Sequence, residues 1–199
     1  MLFPDYNESS KIYHVVSITD LKKTMKEGIR YDDKVTYKTK YDGFHQMIDQ
    51  EKPLWIPNWL IRKKAIFASM NYPKGHKFHS HTAILAITID PKRCWIANEN
   101  RANQIYEPYI LQNIKEFKEC TGYLEREGKK MLKEYWETSL SFEENLKIRM
   151  DKRKGYDAEV LIAHPIKPTD IQVKYIISDH RILSVEGWKK IFCDGQCEI

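Results

Sequence analysis

Two carboxylates stand two residues apart at the start of an apolar run. In "GYDAEVLIAHPIKPTDIQ", residues 155–172, Asp157 and Glu159 lead into "VLIA". Side chains alternate across a β-strand, so Asp157, Glu159 and Leu161 share one face and Ala158, Val160 and Ile162 the other. A pair of acids at a strand's start fits a solvated strand end, where Asp and Glu are commonplace. It also fits the edge of a cleft, where a carboxylate can hydrogen-bond a sugar hydroxyl, stabilise a cationic transition state or orient a nucleophile. The strand alone leaves both readings standing.

Other residues with chemical capacity lie earlier. His14 sits between Tyr13 and Val15 in "KIYHVVS". An imidazole on a mostly apolar strand is either a core histidine with a hydrogen-bond partner or a donor to a ligand hydroxyl or amide. Arg62, Lys63 and Lys64 cluster in "WLIRKKAIFASMNYP". Such a cluster is usually a solvated edge, but an arginine can also grip a diphosphate bidentately, and Tyr72 at the exit offers a flat face for a ring. His76, His79 and His81 in "GHKFHSH" invite a metal reading. Only His79 and His81 would share a strand face, and no neighbouring cysteine or carboxylate completes the set, so no metal is expected. The chain has no glycine-rich phosphate loop of either standard spacing, which argues against a Rossmann or P-loop enzyme.

These residues need elements to hold them. "KIYHVVS" reads as a strand, followed by a helix over "ITDLKKTMKEGI", with a Ser or Thr to cap it and Gly28 to stop it. Residues 30 to 60 show no sustained period and read as loops around a short helix. "KKAIFASM" and "HTAILAITID" read as strands joined by a polar loop. The span 104 to 137 suits one or two helices with a break near "CTG", and "SFEENLKIRMDKRKG" one more, acidic at its start and basic at its end. The strands "AEVLIA" and "IQVKYIIS" and a short helix around "SVEGWKKIF" complete the chain. Strands at both ends and in the middle, with unevenly placed helices, favour α+β over a regularly alternating sheet.

The 199 residues suit a single domain, 1–199, and no repeat or linker suggests a cut. A composition 42% hydrophobic and 31% charged describes a globular protein. No apolar stretch approaches the roughly 18 residues of a membrane span, and the first residues lack a secretory pattern, so the expectation is a cytoplasmic protein with no membrane association. Its four cysteines are then reduced. Cys193 and Cys197 are separated by "DGQ", neither the redox nor the usual zinc spacing, and read as ordinary thiols. The net charge of +5 permits an acidic partner without requiring one.

In their order, "YHVVSITDLKKTMKEGI", "KAIFASMNY" and "AEVLIAHPIKPTDI" resemble the ADP-ribosyltransferase superfamily, nearest to the DarT-like DNA ADP-ribosyltransferases and more distantly to PARP-like enzymes. The likeness touches about a third of the chain. It implies a split pair of small β-sheets with flanking helices and NAD as co-substrate. It also implies a macromolecular acceptor, nucleic acid or protein, and admits a toxin-like or defence role with a neutralising partner. Under it Glu159 matches the catalytic glutamate, and Asp157 stands where some members carry a second acid that orients the acceptor. His14 matches a cofactor-contacting histidine and Arg62 a cofactor-binding arginine, while Tyr72, or alternatively Ser69, would lie near the nicotinamide. Two other classes stay open: a non-catalytic nucleic-acid binding module, and a metal-dependent nuclease built on the His76–His81 loop.

Overall fold

A computed structural model describes residues 1–32 and 35–193; of residues 35–40 it gives the helical backbone alone. In chain order the elements are α1 (Tyr6–Ser9), β1 (Ile12–Ser17), α2 (Ile18–Glu27), α3 (Val35–Gln50), β2 (Ile66–Ser69), β3 (Thr82–Ile87), β4 (Cys94–Asn98), α4 (Glu99–Leu111), α5 (Glu119–Tyr123), α6 (Lys129–Glu137), β5 (Leu140–Ser141), α7 (Phe142–Ile148), β6 (Ala158–Ile162), β7 (Ile171–Ser178), β8 (Arg181–Ser184) and α8 (Val185–Phe192). The class is α+β. None of these helices is long and apolar enough to cross a membrane. The chain packs as two compact units, each built from separated stretches. The first takes residues 1–30, 68–89 and the chain from Pro165 onward, and the second takes 31–67 and 90–164, with the boundary inside β2.

In the first unit β1, β3, β7 and β8 pair antiparallel in that order. Ile12 faces Ile87 and Ser17 faces Thr82, while a bulge between Ile84 and Leu85 shifts the β3–β7 register. Tyr13, Ile84, Ala86 and Ile177 join Phe3 and Phe78 in a buried cluster, with Phe3 stacked on Tyr13 at 4.0 Å. Ser17 caps α2 as expected, and Gly28 ends it with φ +86°. A Cβ there would lie 2.1 Å from the Ile166 carbonyl oxygen, so this stop requires glycine. Although Ile18 and Met25 fall at helical spacing, both remain exposed. The β7–β8 hairpin turns on Asp179 and His180, both left-handed. A two-residue turn of that kind suits strand twist but lacks the usual glycine, which is why β8 leaves little trace in the sequence.

In the second unit β4 pairs antiparallel with both β5 and β6. Phe44 and Ile48 of α3, Ala102 and Ile105 of α4, and Leu132, Tyr135 and Trp136 of α6 form one buried cluster with Trp95, Ala97 and Leu161. At 16 residues, α3 replaces the expected loops and short helix. Its inward positions include Phe44, His45 and Ile48, and a count of aliphatic residues passes over an aromatic and a histidine. All five residues of β4 are buried, so it lacks the alternation that marks a half-exposed strand. The expected break near "CTG" falls between α4 and α5, just ahead of Glu119, and Cys120, Thr121 and Gly122 themselves sit within α5. Pro108, inside α4, cannot donate to the Gln104 carbonyl four residues back; the Tyr123 hydroxyl donates to that oxygen instead, at 3.4 Å.

Candidate active site

The six residues singled out in the sequence divide between the units. His14, Ser69 and Tyr72 belong to the first, and Arg62, Asp157 and Glu159 to the second. Within the first unit the strands separate them further. His14 lies opposite Leu85, between the buried Ile12 and Val16, and is 9% exposed. Ser69 pairs with Tyr13 and therefore takes the opposite face from His14. Tyr72 packs with Phe3, Phe78 and His76 against the cluster on Tyr13's side.

In the second unit Arg62 and Glu159 meet in the interior, each 4% exposed. Arg62 Nη2 donates to Glu159 Oε1 at 3.0 Å and to Oε2 at 2.9 Å. Tyr135 completes a ring of bonds: its hydroxyl donates to Glu159 Oε1 at 2.7 Å and accepts from Arg62 Nε at 2.9 Å. Arg62 Nη1 is hydrogen-bonded to His45 Nδ1. The guanidinium also lies over the Phe67 ring, 4.8 Å from its centre, on which His45 stacks at 5.2 Å. Asp49 fixes the backbone below, accepting from the Arg62 and Lys63 N–H groups at 2.8 and 3.0 Å. The acidic start of an apolar strand is thus explained locally, because a buried arginine neutralises Glu159.

These environments set protonation. Burial alone would lower the Arg62 guanidinium, but the Glu159 carboxylate and Tyr135 outweigh it and hold its proton more tightly than usual. Burial, then the Arg62 charge, push His45 down to about 3, against a weaker upward pull from Asp42. The ring is neutral near pH 7, and since arginine only donates, Nδ1 accepts and the ring proton sits on Nε2. Burial holds the Tyr135 hydroxyl well above its ordinary value, with Arg62 opposing and Glu159 reinforcing, so it stays a donor.

A third acid joins this end of the β4–β6 pair. Ala97 faces Glu159 and Asn98 faces Ala158, and the next N–H, from Glu99, donates to the Asp157 carbonyl at 2.7 Å. Burial, followed by the Glu159 and Asp157 charges, raises Glu99 to about 7, with Arg62 opposing. Asp157 itself is exposed, and its N–H donates to Asn98 Oδ1. Sequence reasoning missed Tyr135, His45 and Glu99. Tyr135 looks like an ordinary core aromatic, His45 lies in a stretch without period, and Glu99 follows a strand that shows no alternation.

Among the described residues, no three His, Cys, Asp or Glu side chains come together to hold a metal ion. His76 instead packs against the rings of Tyr72 and Phe78, and His81 is left-handed, with its N–H donating to Ile177. Cys94, Cys120 and Cys193 are free thiols, whereas Cys197 lies outside the described residues. Compared with family models, curated proteins and solved structures, the chain matches none.

Chemically, the centre of the second unit is one carboxylate fixed in orientation by a cation and a phenol. Among the described residues Oε1 of Glu159 accepts two of these bonds and Oε2 one, so Oε2 keeps acceptor capacity for a hydroxyl. Each Arg62 nitrogen, by contrast, is engaged, with Tyr135, His45 or Glu159.

Proposed function

We propose that this chain is an NAD-dependent mono-ADP-ribosyltransferase with a macromolecular acceptor, nucleic acid or protein, and that Glu159 is its catalytic carboxylate. The observation that carries the reading is that the acid singled out by the family resemblance is the one held in a fixed geometry by Arg62 and Tyr135.

In this reaction the bond from the ribose carbon to nicotinamide breaks, and its electron pair leaves with the nicotinamide. An acceptor atom bonds to the same carbon and releases its proton to solvent. Positive charge develops on the ribose as the bond lengthens, and a preoriented carboxylate stabilises that charge without reorganising. Asp157, exposed two residues away, would orient the acceptor. Arg62 serves Glu159 rather than a diphosphate.

The test is incubation with NAD and, separately, DNA, RNA and cell protein, following both nicotinamide release and label transfer. Glu159→Gln should reduce release per folded molecule by about a hundredfold or more, as expected when a preorganised electrostatic group is lost, and should also lower stability because Arg62 is left uncompensated. Full activity in that variant would remove Glu159 from the mechanism.

The burial of the pair favours one second reading: the Arg62–Glu159 contact braces the core, and the chain is a binding module using its exposed cations. That reading expects no nicotinamide release from any mixture, and salt-sensitive nucleic-acid binding that Glu159→Gln leaves unchanged.

A further inference from the structure

Glu159 does not owe its orientation to Arg62 alone. A guanidinium contacting both carboxylate oxygens through one nitrogen leaves the carboxylate free to rock about that nitrogen, and a second donor from another direction is needed to stop it. Tyr135 supplies that donor. Its hydroxyl lies 2.7 Å from Oε1 and accepts from Arg62 Nε, so the three side chains close a ring of hydrogen bonds. The hydroxyl is itself well held. Tyr135 is fully buried on α6, meets the Trp136 ring edge-on at 5.0 Å, and Trp136 is anchored by its indole N–H to the Ile48 carbonyl of α3 at 2.8 Å.

We propose that Tyr135 is a positioning residue for the transfer reaction, fixing the Glu159 carboxylate so that Oε2 points at the ribose; this rests on the transferase reading above. A positioning role raises kcat rather than NAD affinity, because a misdirected carboxylate costs stabilisation only where charge develops. The phenol keeps its proton far above neutral pH, as burial dictates, so the donor is present throughout the working range.

The experiment compares wild type, Tyr135→Phe, a variant carrying 3-fluorotyrosine at position 135, Glu159→Gln and the Tyr135→Phe/Glu159→Gln double variant. Readouts are nicotinamide release and thermal melting. The expected result is a kcat for Tyr135→Phe at least tenfold below wild type, with the KM for NAD within twofold. The fluorinated variant, which keeps the hydroxyl, should retain at least half the wild-type kcat. The double variant should be no slower than Glu159→Gln alone, since the phenol acts only through that carboxylate. Wild-type kcat in folded Tyr135→Phe overturns this inference and leaves the transferase reading intact. So does a further loss in the double variant. If Tyr135→Phe does not fold, a fluorinated variant with less than a tenth of wild-type kcat overturns it in its place. No nicotinamide release from wild type overturns the transferase reading, and this inference with it.

Discussion

The interiors of the two units are made of different materials. In the first, β1 and β3 bury Ile12, Val16, Ala83, Leu85 and Ile87, and the buried polar side chains among the described residues are His14 and Thr24. In the second, the buried polar side chains are His45, Arg62, Asn98, Ser139, Asn145 and Glu159, including a complete ion pair. Apolar burial stabilises by about 25 cal/mol per Å² and depends little on orientation. A buried ion pair is a weak source of net stability, because removing both charges from water offsets most of their attraction. The first unit is therefore built as stability requires, whereas the second carries a constraint that stability alone does not call for. That asymmetry is the physical reason to look for chemistry at Glu159 rather than at His14.

The sharpest way to break the comparison is to separate the charges. Arg62→Met leaves Glu159 buried and uncompensated, and should destabilise the protein by about 3–5 kcal/mol in urea unfolding. The double variant Arg62→Met/Glu159→Leu should recover most of that loss, since an apolar pair of similar volume can match a buried salt bridge. Leu85→Ala in the first unit should cost a comparable amount, about 2–5 kcal/mol, through a cavity, and pairing it with a second truncation should deepen the loss rather than restore it. A double variant no more stable than Arg62→Met alone would show that the pair is a net source of stability, and the contrast between the units would fall.

The same contrast governs what the sequence reveals. The first unit's β1, α2, β3 and β7 carry apolar spacing, caps and glycine stops that act locally, so Ser17, Gly28 and the β7 boundaries at Ile171 and Ser178 can be read directly. The site in the second unit depends on residues 97 and 73 positions apart, Arg62 with Glu159 and with Tyr135. No local pattern encodes such a pairing. Glu159 was legible because an acid entering an apolar strand is a visible anomaly, and Arg62 because a basic cluster precedes a strand. That the two meet was not legible, nor were their partners, because Tyr135 reads as an ordinary core aromatic and His45 lies in a stretch without period. Helix α3 was misread for the same reason: its buried face is completed by a histidine held neutral by its tertiary surroundings.

Acidity offers a smaller perturbation of the same centre. Glu99 binds its proton more tightly in the folded state, at about 7, than an ordinary glutamate at 4.5. Between those values the native state holds more protons than the unfolded chain, so this group makes stability fall as pH rises from about 4.5 to about 7. His45 does the opposite. With a folded value near 3 against 6.5, its contribution is full above about 6.5 and is lost as pH falls towards 3. Glu99→Gln removes the first effect while keeping size and the position at the start of α4. The variant should be more stable than wild type at pH 8, by at most about 3 kcal/mol, with the advantage shrinking towards pH 5. Melting curves across that range decide it, and a variant less stable than wild type at pH 8 would mean that the favourable position of a charge at a helix start outweighs burial and the neighbouring acids.

The smallest expected effects test whether the units differ in charge alone. Each ends a strand with a serine that caps the next helix: Ser141 Oγ accepts from the Glu144 N–H at 3.1 Å ahead of α7, and Ser184 Oγ accepts from the Gly187 N–H at 2.9 Å ahead of α8. Both caps satisfy one otherwise orphaned backbone donor, so Ser141→Ala and Ser184→Ala should each cost about 1 kcal/mol. Neither serine touches Glu159, and nicotinamide release per folded molecule should be unchanged in both. If Ser141→Ala instead lowers kcat while Ser184→Ala does not, α7 is coupled to the carboxylate through the β4–β5 pairing. The constraint in the second unit would then extend from the ion pair into the backbone that surrounds it.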